Sequence, residues 1–209
     1  GRKIFPVAGD ITDPGLRKLL VCTATDELGG LDLLVNNAGI GAFGPFAEGD
    51  EERLRRVMEV NFFAPLELIR IAIPELKKGQ RPIIANIGSV LGHCAVPDKS
   101  EYCASKFALH GFTDALREEM SGHGIDVLLV SPSTTDSEFF MQVGDTTASG
   151  AMPVSPLKMS PPRVAQKTVA AIRRGRREII LSSSGRFLVW CDRIAPGLVS
   201  WFLSPRRRD

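Results

Sequence analysis

Tyr102 and Lys106 are the residues of this sequence whose types and spacing most directly suggest chemistry. They lie four positions apart, which places both side chains on one face of a helix. A free tyrosine has a pKa of about 10 and is a poor acid or base at neutral pH, but a nearby ammonium stabilises the phenolate and lowers that pKa. The pair is therefore a candidate general acid and base, although the same spacing also occurs on solvated helices without any chemical role.

Three further polar residues stand where a partner or a ligand is needed. Ser89 follows an apolar segment typical of a strand, and open α/β sheets bind ligands at such strand ends. Asn61 interrupts the apolar stretch of a long helix, so it either takes part in catalysis or satisfies a backbone group where Pro65 bends that helix. Asp10 either caps the end of a strand or contacts a ligand.

A glycine motif in the same region points to a different chemistry. Gly39, Gly41 and Gly44 match the G-x-G-x-x-G pattern that binds dinucleotide phosphates. That fingerprint must also open a helix, whose N-terminus meets the pyrophosphate. Here Pro45 follows, and the next helix signal comes only at Asp50. We therefore interpret the motif as a loop that lets backbone approach a neighbour, and not as a phosphate cradle.

The elements that must position these residues alternate strands with helices. Nearly continuous apolar segments predict five strands, at residues 3–9, 31–35, 82–88, 125–131 and 178–181. Capping and stop signals predict helices after Asp13-Pro14, after Asp50, over 101–121 and after Ser160. Apolar strands that alternate with helices are typical of a parallel sheet covered on both faces, so the fold class is α/β.

Composition excludes several classes of function. The formal net charge of +2 and the 24% of charged residues give no sign of a nucleic-acid partner. The four cysteines and three histidines lack the spacing of a metal or CxxC site. We therefore expect no metal and a reduced, cytoplasmic protein. No apolar run reaches the roughly 18 residues that a membrane-spanning helix requires.

Together, these segments resemble the short-chain dehydrogenase/reductase family. The matching pieces, in order, are GDITD (9–13), LVNNAG (34–39), VN (60–61), NIGS (86–89), YCASK (102–106) and SPST (131–134). Their order and spacing agree with the family over about residues 3–182. The resemblance implies an oxidoreductase that moves hydride between NAD or NADP and a carbonyl or alcohol substrate.

The resemblance also implies a role for each catalytic residue. Tyr102 would exchange a proton with the reacting oxygen, and Lys106 would lower the tyrosine pKa and bind the nicotinamide ribose. Ser89 would hold the substrate oxygen, and Asn61 would complete a proton relay through water and Lys106. Cofactor contacts would come from Tyr102, Lys106, Asp10, Asn37, Ala38, Gly39, Pro132, Thr135 and Ser137.

Two further expectations concern the loops that follow the strands. Asn36 and Asn37 are expected to be structural rather than catalytic, since side-chain amides bridge adjacent loops. Ser133 stands where the family usually has glycine, so the loop after the fourth strand is expected to follow a slightly different path.

The fold implied is a Rossmann-like, doubly wound parallel sheet in three α/β/α layers, with strand order 3-2-1-4-5-6-7. The five strands found here would be the third to the seventh. The first two strands, with the glycine-rich cofactor turn between them, are expected to be missing ahead of Gly1. The preference for NAD or NADP therefore stays open, residues 3–9 would have no sheet neighbour, and this stretch by itself is expected to be inactive.

The chain divides into a catalytic part, 1–185, and a C-terminal segment, 186–209, that is apolar and then basic. That segment is a lid over the pocket, a subunit interface or a membrane-surface anchor. As a lid or interface it would shield Trp190 and Trp201. We expect an apolar small-molecule substrate, a homo-oligomer in the full-length parent, and peripheral membrane contact as one alternative. The alternative functions are a non-catalytic binding protein of the same fold and a membrane-surface protein.

Overall fold

The computed structural model describes residues 3–134 and 158–204. Two short 3-10 turns, Phe46–Glu48 and Val90–Gly92, and a π-helical turn, Glu59–Phe63, accompany the regular elements. The helices and strands, in chain order, are α1 (Pro14–Leu28), β1 (Leu33–Asn36), α2 (Glu51–Met58), α3 (Ala64–Leu76), β2 (Ile83–Ile87), α4 (Ser100–Ser121), β3 (Asp126–Ser131), α5 (Pro161–Arg173), β4 (Glu178–Ile180), α6 (Ser183–Ile194) and α7 (Pro196–Leu203).

The strands β1, β2, β3 and β4 form one parallel sheet in chain order. Alternate residues of a strand point to opposite faces: Ile84 and Val127 pack with α1, α3 and α4, whereas Ala85 and Leu128 pack with α5 on the other face. The predicted α/β fold with three layers is therefore confirmed. The order of the four strands also agrees with neighbours 4-5-6-7 of the implied sheet.

Residues 3–9 do not form the strand that their sequence predicts. They have no regular secondary structure, and Ile4 is 82% exposed. A strand persists only where a neighbour accepts and donates its backbone hydrogen bonds, and no strand among the described residues pairs with this segment. The expectation that these residues lack a sheet neighbour holds, and the prediction of a buried strand there is wrong.

The free edge of β1 is apolar. Among the described residues β1 pairs with β2 alone, and Leu33 and Val35 are 41% and 43% exposed. Beside this edge, between α1, β1 and α3, lies a groove of about 260 Å³ that is lined mainly by apolar side chains. An uncovered strand edge of this kind is a site for pairing with another strand.

Helix boundaries follow the predicted signals. Asp13 accepts a hydrogen bond from the Gly15 backbone N–H at 2.7 Å at the start of α1. Gly29 ends that helix in the left-handed region, with φ 83°, where glycine carries no Cβ penalty. Asp50 caps α2 in the same way through the Arg53 N–H.

The long helix after Asp50 is interrupted, as Pro65 predicts. The π-helical turn Glu59–Phe63 separates α2 from α3 directly before Pro65. Proline has no N–H to donate to the preceding turn, and π turns commonly mark functional positions in helices. This turn places Asn61 in the interior, where it is 1% exposed.

The C-terminal segment forms two helices. The expected boundary between 185 and 186 falls inside α6, whose first turn packs on the sheet side: a Cβ on Gly185 would lie 2.7 Å from Val90 Cγ2. Trp190 and Trp201 are 58% and 73% exposed, so the described residues do not shield them as a lid over this chain would. Of the helices described, none is long and apolar enough to cross a membrane.

A ladder of buried polar side chains ties β1, β2 and α4 together. Asn36 Nδ2 donates to Asn86 Oδ1 at 2.8 Å, and Asn86 Nδ2 donates to Thr113 Oγ1 at 3.0 Å. All three side chains are buried. Asn36 is therefore structural, as expected, and it bridges adjacent strands rather than loops.

We expect Asn86→Ala to lower the free energy of unfolding by about 1–3 kcal/mol, because it leaves the buried amide of Asn36 without its acceptor, whereas the Thr113 hydroxyl still donates to the Leu109 carbonyl. Asn37→Ala is the matched control, since Asn37 is exposed and surface changes typically stay within about 0.5 kcal/mol. Urea unfolding followed by circular dichroism measures both. Equal stability of the two variants would contradict a stabilising ladder.

Candidate active site

Helix α4 carries the predicted acid/base pair into the interior. Tyr102 is 8% exposed and Lys106 is 5% exposed, and the Lys106 Nζ lies 5.8 Å from the centre of the Tyr102 ring. The spacing of four residues therefore places both side chains on the inner face of one helix, as predicted. Burial of a phenol and an ammonium side by side has a cost in solvation, so this arrangement needs support from neighbouring groups.

Ser89 supplies part of that support from the end of β2. Its hydroxyl caps the 3-10 turn Val90–Gly92 by accepting from the Leu91 N–H at 3.1 Å, and it is hydrogen-bonded to the Tyr102 phenol. Gly92 allows the turn to lie directly on α4, because a Cβ there would come within 2.7 Å of the Lys106 carbonyl oxygen. Serine and tyrosine from distant parts of the sequence thus meet at the carboxyl edge of the sheet.

Burial has the largest effect on the pKa values of Tyr102 and Lys106. Burial raises the pKa of Tyr102 to about 12, and the hydrogen bond from Ser89 opposes this only in part. Burial also lowers the pKa of Lys106 to about 8, while the Lys106 ammonium donates to the Ile87 carbonyl at 3.0 Å. Desolvation is thus the largest influence on the pKa of Tyr102, and a lowering of that pKa by Lys106 stays a prediction.

Asn61 holds the loop after β1 against α4. Its Oδ1 accepts from the Ile40 N–H at 2.8 Å, and its Nδ2 donates to the Ile40 carbonyl at 2.9 Å and to Ser105 Oγ at 3.0 Å. The backbone groups that it satisfies belong to this loop and not to the bend at Pro65. Its part in a proton relay stays a prediction.

Gly39 lies where the loop passes closest to the acid/base pair. A Cβ on Gly39 would be 3.1 Å from Asn61 Oδ1 and 3.7 Å from Lys106 Nζ. A larger residue at this position would press on the Asn61 amide oxygen and come into contact with the ammonium, so glycine allows the close approach of the loop. The structure therefore brings together Asn61, Ser89, Tyr102 and Lys106, all four of the predicted catalytic residues, with Gly39 at their edge.

The remaining predicted cofactor contacts are more scattered. Asn37 and Ala38 are exposed directly after β1, and Pro132 follows β3, where its carbonyl accepts from the Val90 N–H at 2.9 Å. Asp10 is exposed and accepts from the Thr12 N–H at 2.9 Å, which lowers the pKa of its carboxyl. That bond makes it a turn cap, while a cofactor contact stays a prediction. Thr135 and Ser137 lie outside the described residues.

The glycine motif does not form a phosphate cradle. Gly44 adopts φ 115°, and its N–H donates to the Asp98 carbonyl at 2.9 Å. The 3-10 turn Phe46–Glu48 comes next, and the first α-helix after the motif is α2, which begins at Glu51. The interpretation as a loop that contacts a neighbouring loop is therefore confirmed.

Glu101, beside Tyr102, is a site residue that the sequence analysis did not identify. It is 2% exposed and accepts from Arg53 Nε at 3.0 Å. This buried ion pair fastens the first turn of α4 to α2. The sequence does contain a pattern that indicates burial of Glu101. Glu101 and Ser105 recur at helical spacing with the buried Leu109 and Thr113, so they lie on the inner face of α4.

The sequence analysis also did not identify a cluster of titratable side chains around His93. Ligand atoms of His93, His110 and Glu178 lie within 4.8 Å of one another, although their separation in sequence hides this. His93 Nε2 lies 2.8 Å from Ser131 Oγ, and burial lowers the pKa of His93 to about 4. We interpret His93 as a neutral, hydrogen-bonded side chain that packs between α4 and β3. The expectation of no metal stays a prediction.

Comparison with known proteins gives consistent matches. A family model described as short chain dehydrogenase matches residues 1–148. Dehydrogenase/reductase SDR family member 7B of Bos taurus is 30% identical over 97% of this chain and 63% of its own length. Ketoacyl reductase HetN of Nostoc sp. is 31% identical over 88% of this chain and 63% of its own length. The chain thus spans less than two thirds of these curated relatives.

Solved structures match over most of the chain. A short chain dehydrogenase from Burkholderia cenocepacia J2315, in complex with NADP, superposes with a TM-score of 0.83 at 28% identity, covering 98% of this chain and 81% of that one. A short chain dehydrogenase/reductase from Burkholderia phymatum, in complex with NAD, has a TM-score of 0.81 at 23% identity, over 92% and 75% of the two chains. The second likeness concerns the fold alone.

The raised pKa of Tyr102 can be measured directly, because this is the single tyrosine of the chain. We expect tyrosinate absorbance at about 295 nm to stay absent up to pH 10 in the folded chain, whereas the urea-unfolded chain titrates at about 10. Since the unfolded phenol loses its proton first, folding stability falls as the pH rises from about 10 to 12. Circular dichroism over the same range separates titration from unfolding. A midpoint at or below 10 with an unchanged fold would contradict the burial effect.

Proposed function

Because the chain belongs to the short-chain dehydrogenase family, we propose that it transfers hydride between a nicotinamide dinucleotide and a carbonyl or alcohol substrate. The observation that carries this proposal is the hydrogen-bonded Ser89–Tyr102 pair, with Lys106 beside it, at the carboxyl edge of a parallel sheet. That edge is where open α/β sheets bind their ligands. Polar side chains such as serine and lysine are rarely buried, so the burial of these three together indicates a role beyond packing.

The direction of proton transfer follows from the phenol. A tyrosine whose pKa is raised to about 12 is protonated at neutral pH, so in this state it can donate a proton and cannot accept one. We therefore propose that Tyr102 protonates the carbonyl oxygen in the reductive direction, as hydride reaches the carbonyl carbon. Ser89 would hold the same oxygen through its hydroxyl. Alcohol oxidation would require the phenolate, and hence a change in the surroundings of Tyr102.

The donors present fit the ribose of a nicotinamide cofactor. Lys106 has three N–H donors, of which one is used at Ile87 among the described residues. The backbone of Gly39 passes close to that ammonium, where a Cβ would lie 3.7 Å from Lys106 Nζ. When bound, NAD or NADP would supply or accept the hydride, and Asn37, Ala38, Pro132, Thr135 and Ser137 are proposed to line its site. The complex of the Burkholderia cenocepacia protein with NADP supports this cofactor class.

The substrate class, the oligomeric state and the location are each proposed from one observation. A carbonyl substrate is supported by the relative named ketoacyl reductase. A homo-oligomer is supported by Phe63 and Phe107, which are 47% and 42% exposed on the helical layer that contains α4. A reducing, cytoplasmic location is supported by the four cysteines, all of which are free thiols.

We expect Tyr102→Phe in the full-length parent to lower kcat/KM for ketone reduction at least about 100-fold, since general acid catalysis contributes that much or more. The phenyl ring keeps the packing and removes the proton. Turnover is followed through NADPH and NADH absorbance with apolar ketones, and cofactor affinity is measured separately. A variant that retains about a tenth of kcat/KM or more would exclude Tyr102 as the acid.

We expect Lys106→Arg to be severely impaired although the charge is kept. A planar, forked guanidinium cannot replace a compact ammonium that donates to Ile87 and must also reach a ribose. Lys77→Arg is the matched control, because Lys77 is exposed at the end of α3. The assay is the same NADPH and NADH oxidation, with cofactor Kd as a second measurement. A Lys106→Arg variant as active as Lys77→Arg would remove Lys106 from the proposed mechanism.

A further inference from the structure

Six large apolar side chains form an exposed stripe along the two C-terminal helices. All six are between 58% and 81% exposed. In α6 the first three recur every three or four residues, which keeps them on one side of that helix, and the other three lie within α7. The apolar stripe consists of Phe187, Trp190, Ile194, Leu198, Trp201 and Phe202.

The stripe faces away from the rest of the protein. With 3.6 residues in each turn, Gly185 and Val189 lie on the side of α6 opposite the stripe. Both are buried, and Gly185 rests on Val90. Helix α7 has no buried residue at all within its eight positions. Among the described residues, therefore, nothing covers the stripe, and α7 packs mainly against α6.

An exposed apolar surface of this size marks a contact with something outside the chain, and the charge around it indicates which contact. Residues 183–208 contain five arginines and a single acid, Asp192. Arg186 and Arg193 are exposed and fall on one flank of the stripe, between it and the buried side of α6. Arg206, Arg207 and Arg208 follow α7 in the sequence.

We propose that the apolar stripe binds the surface of an anionic lipid bilayer, with α6 and α7 lying in the plane of the interface. Apolar and tryptophan side chains on one face, with arginines beside them, are the pattern of helices that lie in a membrane surface. The arginine stems reach along apolar surface while their charged heads meet lipid phosphates. This proposal goes beyond hydride transfer and does not depend on it.

Two other occupants fit less well. A second copy of the chain would bring a like-charged set of arginines opposite the first across a two-fold axis, which costs energy. A membrane-spanning arrangement needs about 20 apolar residues in one helix, whereas α6 has 12 residues and α7 has eight. A bilayer surface accommodates both the short helices and the positive charge.

The chain carries its own reporter for the test. Its two tryptophans are Trp190 and Trp201, so tryptophan fluorescence reports on the stripe alone. The experiment adds phosphatidylcholine vesicles, with and without phosphatidylserine, to the full chain. We expect a blue shift with the anionic vesicles that weakens at high salt, and co-flotation with the same vesicles. The variants Trp190→Phe and Trp201→Phe, each with one reporter left, should both shift.

Matched substitutions locate the binding surface. We expect Trp201→Ser with Phe202→Ser, or Arg186→Glu with Arg193→Glu, to lower vesicle partitioning about tenfold or more. Phe46→Ser is the control, because Phe46 is similarly exposed, at 63%, in another part of the fold. The proposal is overturned if anionic vesicles leave the fluorescence unchanged, if Phe46→Ser reduces binding equally, or if the shift follows protein concentration without lipid, which would assign the stripe to self-association.

Discussion

The inner face of α4 is the constraint on which the structure depends. Along this face the helix carries polar side chains into the interior, and a buried polar group without a partner is costly. The polar residues on the face are Glu101, Tyr102, Ser105, Lys106 and Thr113. Each is matched by a group from a different part of the fold, namely Arg53, Ser89, Asn61, the Ile87 carbonyl and Asn86. These hydrogen bonds of α4 therefore also fix α2, the π-helical turn and β2 around the candidate site.

The same burial sets the chemistry of the site. An isolated phenol and ammonium at close range would favour an ion pair, but here both are out of water, and desolvation favours the neutral form of each. Tyr102 is thereby kept as a proton donor, and Lys106 is left with a pKa of about 8. A substrate or cofactor that binds beside Gly39 would change the solvation of Tyr102 and Lys106. The raised pKa of Tyr102 therefore supports the proposal that this residue donates a proton to the substrate oxygen.

Signals within a few residues of sequence predicted the helix boundaries better than they predicted the pKa values in the candidate site. The caps at Asp13 and Asp50 act within one helical turn, so their sequences sufficed. The pairing of residues 3–9 depends on a neighbour that no local pattern can reveal, and that prediction failed. The pKa of Tyr102 depends on how deeply α4 is buried, whereas the sequence showed only a lysine one turn away. The contact of His93 with His110 required knowledge of how the turn after β2 packs on α4.

Two of the apolar surfaces that remain uncovered among the described residues demand partners of different chemistry. The edge of β1 presents backbone N–H and C=O groups together with Leu33 and Val35, so only another strand satisfies it completely. In α6 and α7 the backbone hydrogen bonds are made within the helices, and the exposed groups are side chains. Such a surface needs no directional partner and is satisfied by any apolar medium, including the interfacial region of a bilayer. Because α6 packs by its other side on Val90, directly after Ser89, a membrane at the stripe would lie one helix away from the catalytic turn. An apolar carbonyl compound dissolved in that membrane would then be concentrated close to the groups proposed to reduce it.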